Sequence, residues 1–192
     1  MKAIDRAHQK ISRRARIATG GAVVGAVALS GFGALSANAS TPATTPTAAA
    51  SASVPDGTTT ISTHLTVDAA AKAAKGALDA AEKEHQRVTV AVVDRNGNTI
   101  VTLRGDGAGP QSSASAERKA FTAVAWNAPT SQLAERLQQT PNLKDIPGTL
   151  FLAGAVPVTA KNAPIAGIGV AGAPSGTLDE KFARAGADAV GR

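Results

Sequence analysis

The chain is predicted to be an α+β protein, an antiparallel sheet flanked by helices in a helix–sheet–helix sandwich. Three observations carry this reading. The periodic segments fall in the order α-β-β-α-α-β-β-α. Adjacent strands are joined by short turn signals rather than by crossover helices, which favours antiparallel pairing. Ala and Gly recur throughout the periodic segments, 19 Gly among 192 residues, so helices and sheet can approach closely.

Two segments precede the folded part. Residues 1–17 carry Lys2, Arg6, Lys10, Arg13, Arg14 and Arg16 against Asp5, and a charge-free stretch from Ile17 to Ala39 follows. It ends in Ala37-Asn38-Ala39, the small-x-small pattern that signal peptidase accepts, so residues 1–39 read as a signal peptide cleaved before Ser40. The stretch is Gly-rich and only mildly hydrophobic, which favours a cleaved signal over a retained membrane helix. Ser12-Arg13-Arg14 resembles a twin-arginine (Tat) export signal, with Arg16 where an aromatic residue is usual. Residues 40–62 hold only Val54 and Ile61 as large apolar side chains. This Thr/Ala/Pro segment cannot offset its ordering entropy by burial and reads as a disordered tether.

Export removes the first impression given by charge. The whole chain carries +6, but six of its 20 basic residues and one of its 14 acidic residues lie in 1–39, leaving +1 on the remainder. No basic stripe is left to neutralise phosphates, so nucleic acid is excluded as a partner. With no Cys there are no disulfides, thiolate metal sites or cysteine nucleophiles.

The domain itself spans residues 63–192. Thr66 is an N-cap with Asp68 in the first turn of a helix. Val67, Ala70, Ala71, Ala74, Ala77, Leu78 and Ala81 form its apolar face, and Asp68, Lys72, Lys75, Asp79, Glu82, Lys83 and Gln86 the opposite stripe. Val88–Asp94 is a strand, Asn96-Gly97 signals a type I′ hairpin, and Asn98–Arg104 returns. Gly105–Pro110 breaks the sheet. Ser115 caps a helix from Ala116 to Asn127 that Pro129 ends, and Thr130 restarts a short one through Leu133 and Leu137. Pro141 and Pro147-Gly148 punctuate a loop. Thr149–Ala153 and Val156–Thr159 read as strand pieces, Lys161-Asn162 as a turn, and Pro164–Val170 as a buried strand. Thr177 and Glu180 form a capping box that opens the last helix toward Ala189. Small side chains supply few bulky anchors, so oligomerisation is expected.

Leu65-Thr-Val-Asp-Ala-Ala, Val92-Val-Asp-Arg-Asn-Gly97, Glu117-Arg-Lys-Ala-Phe-Thr-Ala123, Ala128-Pro-Thr130 and Ala166-Gly-Ile-Gly-Val-Ala-Gly172, followed by Asp179-Glu180, stand in this order. Together they resemble the GlcG/HbpS family over nearly all of residues 63–192. The signal peptide and tether are similar to those of its secreted haem-binding members in streptomycetes. The resemblance implies a profilin-like sandwich and a high-order homo-oligomer, an octamer among the sizes considered. It implies haem and iron binding outside the cell, with cell-wall association as one location. It also implies modulation of the extracellular domain of a membrane sensor kinase under oxidative stress. Two other activities stay open: an enzyme that degrades haem or consumes peroxide, and a corrinoid module that takes cobalamin.

Asp79 and Glu82, at i and i+3, can converge on a hard cation, and the resemblance makes them the iron site; the residues alone also allow a solvated face with Asp79 paired to Lys83. On the second helix Phe121, Val124 and Ala128 are expected to face the sheet. Lys119, Thr122 and Trp126 are expected to face outward, with Arg118 at the margin. That face suits a porphyrin: Trp126 for stacking, Lys119 and Arg118 for propionates, Thr122 for an oxygen. It equally suits a subunit interface. His85 reads as a half-buried histidine capping its helix, and His64 as exposed. Gly105–Gly109 lacks the context of a phosphate loop. Ser112, Ser113 and Ser115 have no local base, so hydrolysis by a Ser/His/Asp triad is not expected.

Overall fold

A computed structural model describes residues 53–191. The signal peptide lies outside the described residues. Of the tether, residues 53–62 are exposed, with one turn closed by the Thr58 N–H on the Pro55 carbonyl.

The elements are α1 (Val67–Lys83), β1 (Thr89–Asp94), β2 (Thr99–Arg104), α2 (Ser112–Trp126), α3 (Thr130–Arg136), β3 (Ala155–Ala160), β4 (Ala163–Ala171) and α4 (Gly176–Val190), with a 3-10 turn at Pro141–Asp145. The four strands form one antiparallel sheet in the order β2-β1-β4-β3. Helices α1 and α4 cover one face and α2 the other, so the predicted sandwich is the observed one. Alternation sorts the side chains. Val88, Val90 and Val92, with Ile168 and Val170, meet Ala70, Ala73, Ala74, Ala77 and Phe182 in the main core. Ala91 and Val93 point the other way, toward Ala116, Ala120 and Val124 of α2.

Thr66 caps α1 as expected, its Oγ1 accepting the Ala69 N–H at 3.2 Å. The buried face differs from the expected one: Ala73 is buried, Ala71 and Leu78 are half-buried, and Val67 is exposed. The helix closes at His85, whose φ of 57° puts it in the left-handed region. Its N–H donates to the Glu82 carbonyl, and the Gln86 N–H to that of Ala81, both at 2.9 Å. The backbone of His85 does the capping; the imidazole is exposed, not half-buried.

The two hairpin signals exchange roles. At Asn96-Gly97 only Gly97 has positive φ, at 89°; the Gly97 N–H donates to the Asp94 carbonyl and the Asp94 N–H to that of Asn98. The Asp94 carboxylate accepts the N–H groups of Asn96 and Asn98 at 2.8 and 2.9 Å. This local bonding selects a wider turn, and the register shifts between Val92 and Val93. The type I′ geometry occurs at Lys161-Asn162, with φ of 49° and 62° between paired Ala160 and Ala163.

Three further boundaries move for identifiable reasons. Helix α2 starts at Ser112 rather than after Ser115, because the buried Ser112 hydroxyl meets Thr89 Oγ1 at 2.7 Å and donates to the Gly109 carbonyl at 2.6 Å. Residues 149–153 are not a strand: Thr149 Oγ1 bonds the Ile146 carbonyl, and the Leu150 N–H is held by a side chain of α2. The N-cap of α4 is Ser175, accepting the Leu178 N–H, and the Thr177–Glu180 box does not form because Glu180 is bonded elsewhere.

The layers approach unusually closely at β4. A Cβ on Gly167 would collide with the carbonyl oxygen of Ala120, and one on Gly169 with that of Ala116. Behind the sheet, a Cβ on Gly186 would lie 2.7 Å from the Ala73 carbonyl. Gly169→Ala should therefore cost about 3 kcal/mol or more, lowering the thermal midpoint by about 10 °C. Gly191→Ala, with no neighbour closer than 4.0 Å, should leave the midpoint nearly unchanged in the same circular-dichroism melts.

Candidate functional site

With α2 laid flat on β4, residues on its flanks are buried whatever their polarity. Lys119 is one of them. Its Nζ donates to Asp179 Oδ2 at 2.8 Å and to the Val170 carbonyl at 3.1 Å, and both side chains are at most 6% exposed. Asp179 also accepts the Ala173 N–H at 3.0 Å. The clasp joins α2 to the start of α4 past the end of the sheet. Gly154 leaves room for it, since a Cβ there would sit 2.6 Å from Lys119 Nζ. Burial pushes the Asp179 carboxyl above its ordinary value, and Lys119 and the Ala173 N–H pull it only partway back. Glu180, beside it, accepts the Ser131 N–H and hydroxyl at 3.0 and 2.8 Å and the Arg184 guanidinium at 2.6 Å, which fastens α3 to α4.

Thr122 is also buried. Its hydroxyl donates to the Arg118 carbonyl at 2.7 Å and accepts the Leu150 N–H at 2.8 Å. The expectation that Lys119 and Thr122 face outward is therefore corrected. Their polar atoms are engaged within the protein, Thr122 beneath the loop that carries Leu150 and Lys119 at the end of β4 and the start of α4. Phe121, expected to face the sheet, is only half-buried.

The outward side of α2 presents Arg118, Phe121 and Ala125. Arg118 donates one Nη2 bond to the Thr149 carbonyl at 2.7 Å and is otherwise exposed. It borders an open cavity of about 300 Å³ together with Glu117, Phe121, Gly97 and Gly148. Trp126, half-buried at the C-terminal end of the helix, packs edge-on against Phe151 with centroids 5.2 Å apart. Of the four residues assigned to a porphyrin, Arg118 and Trp126 thus remain at the surface while Lys119 and Thr122 lie beneath it. A guanidinium beside aromatic surface fits the carboxylates and ring edge of a tetrapyrrole. The described histidines, His64 and His85, belong to the arm before α1 and to the end of α1.

Asp79 is ion-paired with Lys75, one turn before it, rather than with Lys83, and Glu82 is exposed. Asp79 bonds to Lys75 and raises its pKa, against a smaller desolvation effect. Among the described residues no three metal-ligating side chains cluster. The structure does bring Ser62 Oγ within 2.6 Å of His64 Nε2, an alignment hidden in the sequence by the distance to Asp94. His64 Nδ1 is 3.8 Å from Asp94 Oδ2, beyond hydrogen-bond length, and that carboxylate already serves the turn donors, so no catalytic relay is formed.

The model of the family described as "Haem degrading protein HbpS-like" matches residues 65–188. The chain belongs to the HbpS-like family. A crystal structure of HbpS is 72% identical, covering 73% of this chain and 100% of that one, with a TM-score of 0.72. A double mutant of HbpS from Streptomyces reticuli, with two glutamates three positions apart exchanged for aspartate, is 71% identical over 76% of this chain and 99% of that one, TM-score 0.74. A PduOC–haem complex is 25% identical, covering 66% of this chain and 95% of that one, TM-score 0.61. No curated protein matches the chain. Within this HbpS-like domain the buried Lys119–Asp179 and Glu180–Ser131 bonds are the groups that helical periodicity hid. The sequence signal for them was a lysine with small residues one turn away on either side, Ser115 and Ala116 before it and Thr122 and Ala123 after it, on a sheet-covering helix, together with the adjacent acids at the start of α4.

Two outcomes follow from these charges. Lys119→Met leaves a buried carboxylate unpaired and should cost about 3–5 kcal/mol, whereas Lys119→Met/Asp179→Leu should recover most of that in urea unfolding. Burial favours a higher Asp94 pKa, but the bonds from Asn98 and Asn96, with His64 nearby, outweigh it and hold the carboxyl low. A depressed pKa stabilises above the unfolded value and fades as pH falls through the folded one. Asp94→Asn should therefore lower the urea midpoint at pH 7 and converge with the unmodified protein near pH 2.

Proposed function

We propose that this protein binds haem outside the cell as a homo-oligomer and modulates the extracellular domain of a membrane sensor kinase under redox and iron stress. The observation that carries the reading is the identity of 71–72% to HbpS across 99–100% of the HbpS chains. The PduOC–haem complex supports the same ligand for this fold. Export is supported by the pattern of residues 1–39, and among the described residues no helix is long and apolar enough to cross a membrane.

Haem, when bound, supplies the redox-active iron; the protein supplies position and charge. Arg118 presents its free N–H groups to a propionate, and Phe121 and Trp126 offer apolar edges to the macrocycle. Thr122 acts from beneath, holding the Arg118 carbonyl and the Leu150 N–H so that helix and covering loop stay in register. Lys119 contributes through its clasp with Asp179 rather than through a propionate. Asp79 and Glu82, with water completing the shell, form the iron-binding part of the proposal. The double mutant of the Streptomyces reticuli relative alters two acids at the same spacing.

Hemin titration of the protein without residues 1–39 should give a saturable Soret band. Arg118→Ala should weaken binding about tenfold, roughly 1.4 kcal/mol. A flat spectrum would remove the proposal. Asp79→Ala/Glu82→Ala should reduce ferric iron binding while leaving hemin affinity intact. The family description favours a second reading, turnover of haem. Loss of the Soret band with reductant or peroxide, in step with protein concentration, would establish it. Competition by cobalamin in the same titration reports whether the site accepts corrinoids.

A further inference from the structure

The two edges of the sheet are not alike. At β3 the Val170 N–H donates to the Gly154 carbonyl at 2.8 Å, which sets the alternation along β3 and turns the main chain of Ala155 and Pro157 away from β4. Both positions are closed. The Ala155 N–H donates to Thr130 Oγ1 at 2.9 Å, and Pro157 has no N–H. At β2 the Gly105 N–H donates to the Val88 carbonyl, so Val90–Leu103 and Val92–Val101 are the bonded pairs with β1. The main-chain groups of Thr102 and Arg104 then point out of the sheet, and no backbone partner for them is found among the described residues. This edge reads Thr-Ile-Val-Thr-Leu-Arg, with neither proline nor lysine, and its Ile100, Val101 and Leu103 are only partly covered by the core they extend. An open, β-branched edge of this kind is a template for pairing; the register shift opposite Val92 and Val93 and the charge of Arg104 lie toward its two ends and leave Val101–Leu103 open.

We propose that β2 is the strand through which two copies of this chain pair, antiparallel about a twofold axis at Thr102, joining their sheets into one. The inference rests on the homo-oligomer of the proposed function and assigns its surface. The register is self-complementary. Thr102 meets its own copy, and Val101 meets Leu103 on the face shared with α1. On the other face, Glu117 stands over Thr102, which donates to its Oε1 at 3.0 Å. Arg104, whose Nε and Nη2 donate to the Ala108 carbonyl of its own chain at 3.1 and 2.5 Å, would arrive from the second copy at the diagonal position on that same face, with Nη1 left for the carboxylate. The pair would add an apolar strip and two crossed ion pairs to the main-chain bonds.

The chain lacks cysteine, so a single introduced thiol reads this geometry without background. Directly bonded antiparallel neighbours have Cα atoms about 5.5 Å apart, inside the window for a disulfide. Oxidised Thr102→Cys should run as a covalent dimer on non-reducing gels, while Thr159→Cys on β3 stays monomeric. Arg104→Glu should shift light-scattering mass toward smaller species, and Arg104→Glu/Glu117→Arg should restore it. An unmodified protein that is monomeric would overturn both this inference and the oligomer it rests on. An oligomer that Arg104→Glu leaves intact, with no Thr102→Cys dimer, overturns the β2 interface alone.

Discussion

The approach of α2 to β4 governs the molecule. At Gly167 and Gly169 no side chain separates the strand from the Ala116 and Ala120 carbonyls of the helix. A helix held this close cannot tilt or rotate without losing contact along its length. Its flanks are consequently enclosed, and any polar residue there must find partners inside the protein. Lys119 finds Asp179 and the Val170 carbonyl; Thr122 finds the Arg118 carbonyl and the Leu150 N–H. These bonds tie α2 to α4 and to the loop that covers it, so the packing of two glycines reaches as far as the outer cavity.

The same constraint explains what could be read from residues alone. Element order, sheet class and the cap at Thr66 follow from local chemistry, and local chemistry is legible. The I′ hairpin was misplaced because Asp94, outside the Asn96-Gly97 pair, decides the turn. The orientation of Lys119 and Thr122 was misread because periodicity assigns polar residues to solvent. Nothing in a helix's own sequence states how near its neighbour lies. Glycines two apart on β4 held that information, but only in combination with the helix that covers them.

For the site, the consequence is a division of labour. Arg118, Phe121 and Trp126 remain where a planar ligand can meet them, while Lys119, Thr122, Asp179 and Glu180 hold the platform. The acidic pair on α1 stands apart, with Lys75 already on Asp79. An oligomer built through β2 would leave the outer face of α2 as a rim beside the joined sheets, so ligand and assembly surfaces would adjoin at Glu117.

The proposed ligand site is the outer face of α2. Amide chemical-shift mapping with diamagnetic zinc protoporphyrin addresses it most directly. The largest changes are expected at Arg118, Phe121, Ala125 and Trp126, with the α1 residues Asp79 and Glu82 unmoved. Changes centred on α1, with the amides of α2 silent, would contradict it.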